Sequence, residues 1–191
     1  MTTKKPTAYN NQLRIIAGKL KGRKISFADN IDGLRPTADR IRETVFNWLM
    51  GYVINANCLD AFAGSGALGL EALSRGAKHC LFLEKSPKAL HQIKAHCEAF
   101  NLTNTAIKQD DAISCLNRAK GYDIIFLDPP FASDLLESAL IAISNNACIS
   151  EKTLIYIEAP KKLDTEILTH FSIVKSKTAG DVFFALLQKN V

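Results

Sequence analysis

The sequence lacks the features that mark membrane, secreted and metal-binding proteins. No apolar run approaches the roughly 18 residues that a bilayer-spanning helix needs, and residues 1–5 do not begin a signal peptide. The five cysteines are widely spaced and include no C-x-x-C pair, and no His or Cys residues share metal-ligand spacing. We therefore expect a cytoplasmic protein with reduced cysteines, no bound metal and no membrane association.

The chain is short for two full domains, and its charge is unevenly distributed. Its 191 residues suffice for one well-buried domain with an extension. Residues 1–42 carry ten Lys or Arg and three Asp, a net charge of +7, whereas the remaining residues carry fourteen basic and sixteen acidic side chains. We predict a mobile tail over residues 1–12, a basic arm over 13–35 and a main domain over 36–191.

Apolar runs and helical patterns alternate along the main domain. Strands are predicted at residues 58–60, 78–84, 105–109, 122–127, 153–157, 171–176 and 182–187. Helices are predicted to begin near Thr37, Ala67, Pro87 and Ser133. Strands that alternate with helices form a parallel sheet, and the last two strands predict an antiparallel hairpin at its edge. The predicted fold class is α/β, with a seven-stranded, mostly parallel sheet and a small N-terminal β extension.

A glycine-rich loop lies between the first strand of this sheet and the helix that follows. Residues 58–66 read CLDAFAGSG, and Gly69 completes the spacing G-x-G-x-x-G. That spacing alone is typical of a dinucleotide site, with a pyrophosphate at the helix N-terminus. A carboxylate at Asp60 would repel a pyrophosphate and instead suits an ammonium group, such as that of S-adenosylmethionine.

Acidic residues also follow other predicted strands. Glu84 ends the second strand, where a ribose diol would be held, and Asp111 follows the third. The carboxyl ends of parallel strands meet at one rim of the sheet, which would bring Asp60, Glu84, Asp111 and Asp128 together. Phosphate groups would avoid such a site.

The fourth strand ends in the motif Asp128-Pro129-Pro130-Phe131. Two prolines supply no backbone N–H, so the Asp128 carboxylate and the Pro129 carbonyl can both accept hydrogen bonds from one amine. Phe131 can stack on a flat base. Alignment of the amine with a sulfonium methyl group would supply most of the catalysis without a metal, and Asp128 can accept the released proton.

Basic side chains alternate with apolar ones in the basic arm and continue toward the first helix. This pattern suits contacts with a phosphate backbone. The residues that we predict to contact RNA are Arg14, Lys19, Lys21, Arg23, Lys24, Arg35, Arg40 and Arg42.

These motifs resemble the class I S-adenosylmethionine-dependent methyltransferases, and the chain is similar to the RsmD family over about residues 13–188. The similar stretches are residues 14–18, 34–37, 40–44, 46–49 and 62–69. The resemblance implies a Rossmann-like fold and methylation of the N2 amine of guanine 966 in 16S ribosomal RNA. The expected substrate is the small ribosomal subunit, and the expected enzyme is a monomer.

The resemblance also implies roles for individual residues. The target base would contact Asp128, Pro129, Pro130 and Phe131. The residues expected to contact the cofactor are Asp60, Phe62, Gly64, Ser65, Gly66, Glu84, Asp111 and Ala112. Asp110 is an alternative to Asp111 on the adenine side.

Other functions stay open at this point. An adenine-N6 methyltransferase acting on DNA or RNA can use the same Asp128 motif, although a DNA enzyme usually needs a separate base-recognition domain. An NAD-dependent oxidoreductase would use the glycine spacing but leaves Asp128, Pro129 and Pro130 unexplained. A catalytically silent RNA-binding module would use the basic arm alone.

Overall fold

The computed structural model describes residues 11–27, 36–161 and 166–190. In the basic arm, β1 (Asn11–Arg14) pairs with β2 (Lys24–Phe27) as a separate antiparallel hairpin. The main-domain strands are β3 (Asn57–Asp60), β4 (His79–Leu83), β5 (Thr105–Lys108), β6 (Ile124–Leu127), β7 (Leu154–Pro160), β8 (Phe171–Ala179) and β9 (Val182–Lys189). The helices are α1 (Pro36–Trp48), α2 (Ala67–Ser74), α3 (Pro87–Ala99), α4 (Ala112–Leu116) and α5 (Leu135–Asn145), with a 3₁₀ helix at Glu166–His170.

The seven main-domain strands form one sheet in the order β5-β4-β3-β6-β7-β9-β8. The first five strands of that order are parallel, and β9 and β8 add an antiparallel edge. The predicted fold class is therefore confirmed. The chain adds strands outward from β3 to β5 and then returns to place β6 on the other side of β3. Open α/β sheets bind their ligands at such a switch point in the strand order.

Alternate residues of each central strand point to opposite faces of the sheet and create two apolar layers. On one face, Cys58, Phe126 and Tyr156 pack with α1, α2 and α3. On the other, Leu59, Ile125 and Ile157 pack with α4 and α5. The central strands are covered on both faces, which explains their continuous apolar sequence.

Several element boundaries differ from the sequence prediction. Helix α1 begins at Pro36, so Thr37 lies inside it, and its buried face includes Phe46 beside the predicted Ile41, Val45 and Leu49, while Trp48 is half-buried. Helix α4 was not predicted, because five residues are too few to show a helical period. Strand β1 begins at Asn11, which places residues 11 and 12 of the predicted tail in the hairpin; residues 1–10 lie outside the described part of the chain.

The basic arm packs on the main domain and shares its core. Ile15, Leu20 and Ile25 are buried in the same apolar layer as α1 and α2. The backbone N–H groups of residues 16 and 17 donate to the fully buried Glu71 carboxylate of α2, at 2.8 and 3.0 Å. Ser74 adds further contacts, accepting from the Leu20 N–H and donating to the Ala17 carbonyl. Polar bonds thus fasten the arm to the helix that follows the glycine loop.

None of the helices in the described ranges is long and apolar enough to cross a bilayer. Across those same ranges, no three His, Cys, Asp or Glu side chains are grouped to hold a metal ion. The five cysteines are free thiols, and Cys58, Cys80 and Cys97 are buried.

Candidate active site

One large cavity lies beyond the carboxyl ends of the parallel strands. Its volume is about 1210 Å³, and its walls include every predicted catalytic and cofactor residue except Gly66. Gly66 is buried at the N-terminus of α2, directly behind the wall. The structure therefore brings together the glycine loop, the acidic strand ends and the Asp128 motif, as the parallel sheet predicts.

The glycine loop connects β3 to α2 through two residues with positive φ. Gly64 has φ of 51° and Gly66 has φ of 77°, a backbone region that side chains other than glycine resist. The Gly64 N–H donates to Glu84 at 2.8 Å, and the other oxygen of Glu84 accepts from the Ser86 N–H at 2.8 Å. Glu84 thus fixes the loop to the end of β4, in addition to facing the cavity.

Asp60 is buried beneath this loop and is 2% exposed. Its carboxylate accepts a hydrogen bond from the Gly69 N–H at 3.0 Å. Burial raises the pKa of Asp60 to about 7, the Gly69 bond opposes that rise, and the charge of Glu84 adds to it. A methyl group on Gly69 would collide with the Phe82 ring, so glycine is needed for α2 to pack closely on β4.

Two adjacent carboxylates follow β5 and line the cavity. Asp111 caps α4 by accepting from the Ser114 N–H at 2.8 Å, and it forms an ion pair with Lys85 at 2.8 Å. The Lys85 and Ser114 bonds lower the pKa of Asp111 to about 2. Asp110 accepts from the Asp111 N–H and lies 3.8 Å from Arg118. Both side chains remain candidates for the adenine side of the site, together with the buried Ala112.

The Asp128 motif forms the opposite wall of the cavity. Pro129 is buried, Pro130 and Phe131 are exposed, and the Ser133 hydroxyl donates to the Pro130 carbonyl at 2.6 Å. Asp128 is exposed at the wall of the cavity. Desolvation, followed by the charges of Glu158 and Asp60, raises the pKa of Asp128 well above its ordinary value.

Glu158 belongs to this wall and contacts the fully buried Tyr156, and the sequence prediction missed both residues. Leu127 of β6 pairs with Ile157 of β7, which makes Asp128 and Glu158 neighbours at the strand ends. The Tyr156 hydroxyl donates to Glu158 at 2.6 Å. The available signal resembled the one that identified Glu84: a carboxylate that directly follows a buried apolar run. The predicted strand ends at Ile157, three residues before β7 ends at Pro160, so Glu158 fell outside it.

Arg42 is positioned differently from the other predicted RNA-contacting residues. It is 5% exposed and lines the cavity instead of the outer surface. Its Nη2 donates to Asp39 at 2.7 Å and to the Arg14 carbonyl at 3.0 Å. Arg42 therefore lies beneath the arm and not among the exposed cations with which it was predicted to contact RNA.

The remaining predicted RNA-contacting residues in the described ranges are exposed. They are Arg14, Lys19, Lys21, Arg23, Lys24 and Arg40. Arg14 donates to the Gly22 carbonyl at 3.2 Å, and Arg23 lies 5.6 Å from the centre of the Phe100 ring. Arg35 lies outside the described residues. The arm thus presents cations on its outer side, while its apolar side faces the core.

Comparison with known proteins yields matches over almost the whole chain. The family model described as "Conserved hypothetical protein 95" matches residues 13–188. Ribosomal RNA small subunit methyltransferase D of Escherichia coli K12 is 39% identical over 190 residues, covering 97% of this chain and 95% of that protein. The Haemophilus influenzae protein of the same name is 39% identical over 184 residues, covering 93% and 94%. A solved E. coli structure described as a methyltransferase aligns with a TM-score of 0.81 and 38% identity, covering 93% of this chain and 98% of that one.

Proposed function

Because this chain belongs to the Conserved hypothetical protein 95 (RsmD) family, we propose that it methylates small-subunit ribosomal RNA with S-adenosylmethionine. The target is the N2 amine of a guanine, at position 966 of 16S ribosomal RNA by family resemblance. The observation that carries the proposal is a single cavity lined by the glycine loop, Glu84 and the Asp128 motif. Such a substrate implies activity in the cytoplasm.

The residues of the cavity fit S-adenosylmethionine better than a dinucleotide. The acidic residues Asp60 and Glu84 suit a cationic amino acid moiety and a ribose diol, whereas a pyrophosphate would be repelled. Lys85 does not offset this charge, because Asp111 already pairs with it. Each oxygen of Glu84 accepts one backbone N–H, and a carboxylate has about four acceptor sites, so two hydroxyl groups can bind as well.

When bound, S-adenosylmethionine supplies an electrophilic methyl group, which leaves its sulfonium sulfur as a neutral thioether. The chain must then hold the amine in line and remove one proton. The Asp128 carboxylate and the Pro129 carbonyl are adjacent acceptors for the two amine hydrogens, and Phe131 offers an exposed ring for stacking. The raised pKa of Asp128 makes its carboxylate a stronger proton acceptor than an ordinary aspartate.

The exposed cations of the arm are proposed to hold the RNA backbone. Lys19, Lys21 and Arg23 project from a segment that is fastened to α2. Such contacts position the RNA without reading its sequence.

The test is transfer of a labelled methyl group to small ribosomal subunits that lack the modification. Nucleoside analysis of the product should yield N2-methylguanosine. Asp128→Ala should abolish transfer in a single turnover while the affinity for S-adenosylhomocysteine changes little. Asp134→Ala is the matched control, because Asp134 is exposed and makes no capping bond.

Three outcomes would contradict the proposal. N6-methyladenosine as the product would favour an adenine methyltransferase. Near-normal transfer by Asp128→Ala would show that the motif is only a turn. Tight binding of NAD in place of S-adenosylhomocysteine would favour an oxidoreductase.

A further inference from the structure

Arg42 presents two buried nitrogen atoms that have no partner. Its side chain is 6% exposed, and within the described residues neither Nε nor Nη1 has a hydrogen-bond partner. A buried donor left without an acceptor costs roughly 1–3 kcal/mol, and more when it is charged. Since Arg42 lines the cavity, a ligand in that cavity is the natural acceptor.

The position of Arg42 on α1 places it over the ends of β6 and β7. Residues four apart lie on the same face of a helix, and Phe46, one turn after Arg42, packs against Phe126 of β6 with ring centres 5.9 Å apart. Asp128 stands two residues beyond Phe126, on the same face of the sheet. Arg42 therefore lies one helical turn from Phe46, on the side nearer the carboxyl ends of β6 and β7.

Glu158 stands beside Asp128 and within the electrostatic reach of Arg42. Neighbouring strands lie roughly 4.8 Å apart, so the two carboxylates are close enough to contact one ring edge. Burial raises the pKa of Glu158, whereas the Tyr156 bond and the charge of Arg42 lower it. The Tyr156 hydrogen bond and the charge of Arg42 thus oppose the effect of burial and stabilise the carboxylate form of Glu158, which can accept a hydrogen bond.

We propose that Glu158 and Arg42 form a subsite that reads the Watson–Crick edge of guanine. Glu158 accepts the N1 hydrogen and Arg42 donates to O6, while the N2 amine lies at Asp128. This inference rests on the proposed function, and it names the residues that distinguish guanine from other bases. Enzymes that act on a base commonly read that edge after drawing the base into a pocket.

The same arrangement rejects an adenine edge. Adenine has a lone pair at N1 in place of a hydrogen, so an ionised Glu158 would face another acceptor. Arg42 would face a carbon that carries no acceptor. A site built to bond a particular donor or acceptor rejects an analogue without it by roughly 10⁴–10⁵-fold.

The experiment uses small subunits reconstituted with either guanine or 2-aminopurine at the target position. The analogue 2-aminopurine keeps the amine at C2 but has no N1 hydrogen and no oxygen at C6. For each substrate, the single-turnover rate of methyl transfer is measured for the parent and for Glu158→Gln and Arg42→Met. We expect both variants to lower the guanine rate by about ten- to hundredfold, corresponding to one charged hydrogen bond. The 2-aminopurine rate should stay within about threefold or rise.

The control variant is Glu151→Gln, which makes the same chemical change at an exposed position just before β7. It should leave both rates unchanged. Affinity for S-adenosylhomocysteine reports that each variant is folded. The subsite is refuted if the two variants lower both rates equally, or lower neither, while the parent methylates guanine. Failure of the parent to methylate guanine would instead refute the proposed function, and the subsite with it.

Discussion

Replacement of Glu71 by Gln should release the basic arm from α2. Glu71 is fully buried, and its two oxygens accept the N–H groups of Ile16 and Ala17, while Arg75 pairs with one of them at 2.8 Å. Gln has nearly the same volume but only one acceptor oxygen. In either orientation of the amide, one arm N–H faces the NH₂ group and loses its bond.

The expected cost follows from those bonds. A hydrogen bond to a charged group is worth roughly 1.5–3 kcal/mol, and the ion pair with Arg75 is weakened as well. We expect Glu71→Gln to lower the free energy of unfolding by about 3 kcal/mol, which corresponds to a fall in Tm of roughly 6–12 °C for a chain of this size.

Amide hydrogen exchange locates that effect, and thermal unfolding measures its size. The amides of Ile16 and Ala17 should exchange faster in Glu71→Gln than in the parent, and so should that of Leu20, which donates to Ser74. Glu43→Gln is the control, because Glu43 is exposed on α1. Parental protection at Ile16 and Ala17, with Tm within about 2 °C of the parent, would refute the anchoring role.

Three further predictions concern the cofactor, the RNA and pH. Glu84→Ala should weaken binding of S-adenosylhomocysteine by about tenfold or more in a calorimetric titration, since charge-assisted bonds are lost; an unchanged Kd would contradict the ribose assignment. Four phosphate contacts on unpaired RNA predict a slope of roughly −3 for log affinity against log salt. Reversal of charge at Lys19, Lys21 and Arg23 should flatten that slope, and an unchanged slope would mean that RNA is held elsewhere. The pKa of Asp60 is about 7 in the folded protein, compared with an ordinary value of 3.8. Between about pH 4 and 7, the folded state therefore holds a proton on Asp60 that the unfolded state has released. Stability should therefore fall by up to about 4 kcal/mol as pH rises through that window. Asp60→Asn should remove this fall. The measurement is the free energy of unfolding from urea titrations at several pH values, and the same dependence on pH in both proteins would contradict the prediction.

Much of the sheet and of the cavity could be predicted from the sequence, because the relevant signals are local. The strands are short apolar runs, and each of Asp60, Glu84 and Asp128 stands where such a run ends. In a parallel sheet those ends meet by geometry alone. No long-range information was needed to place the glycine loop opposite the Asp128 motif.

The rest depended on contacts between distant parts of the chain. Glu71 carries no local signal for its role, because its arm partners lie 54 and 55 residues earlier. Arg42 was grouped with the exposed cations by its charge, yet it lies one turn from buried Phe46. A basic residue on the buried face of an amphipathic helix is the signal that could have identified it.

The docking of the arm on α2 also constrains the order in which this protein can fold. The arm leaves the ribosome before α2, because Ser74 and Glu71, to which it binds, are synthesised more than 50 residues later. At roughly 5–20 residues per second, Ile15, Leu20 and Ile25 stay without their core partners for several seconds. Loop-closure entropy must be overcome before those distant contacts form. The segment that we propose to grip RNA is thus synthesised well before the helix that secures it, and its exposed lysines and arginines favour solubility of the chain during that interval.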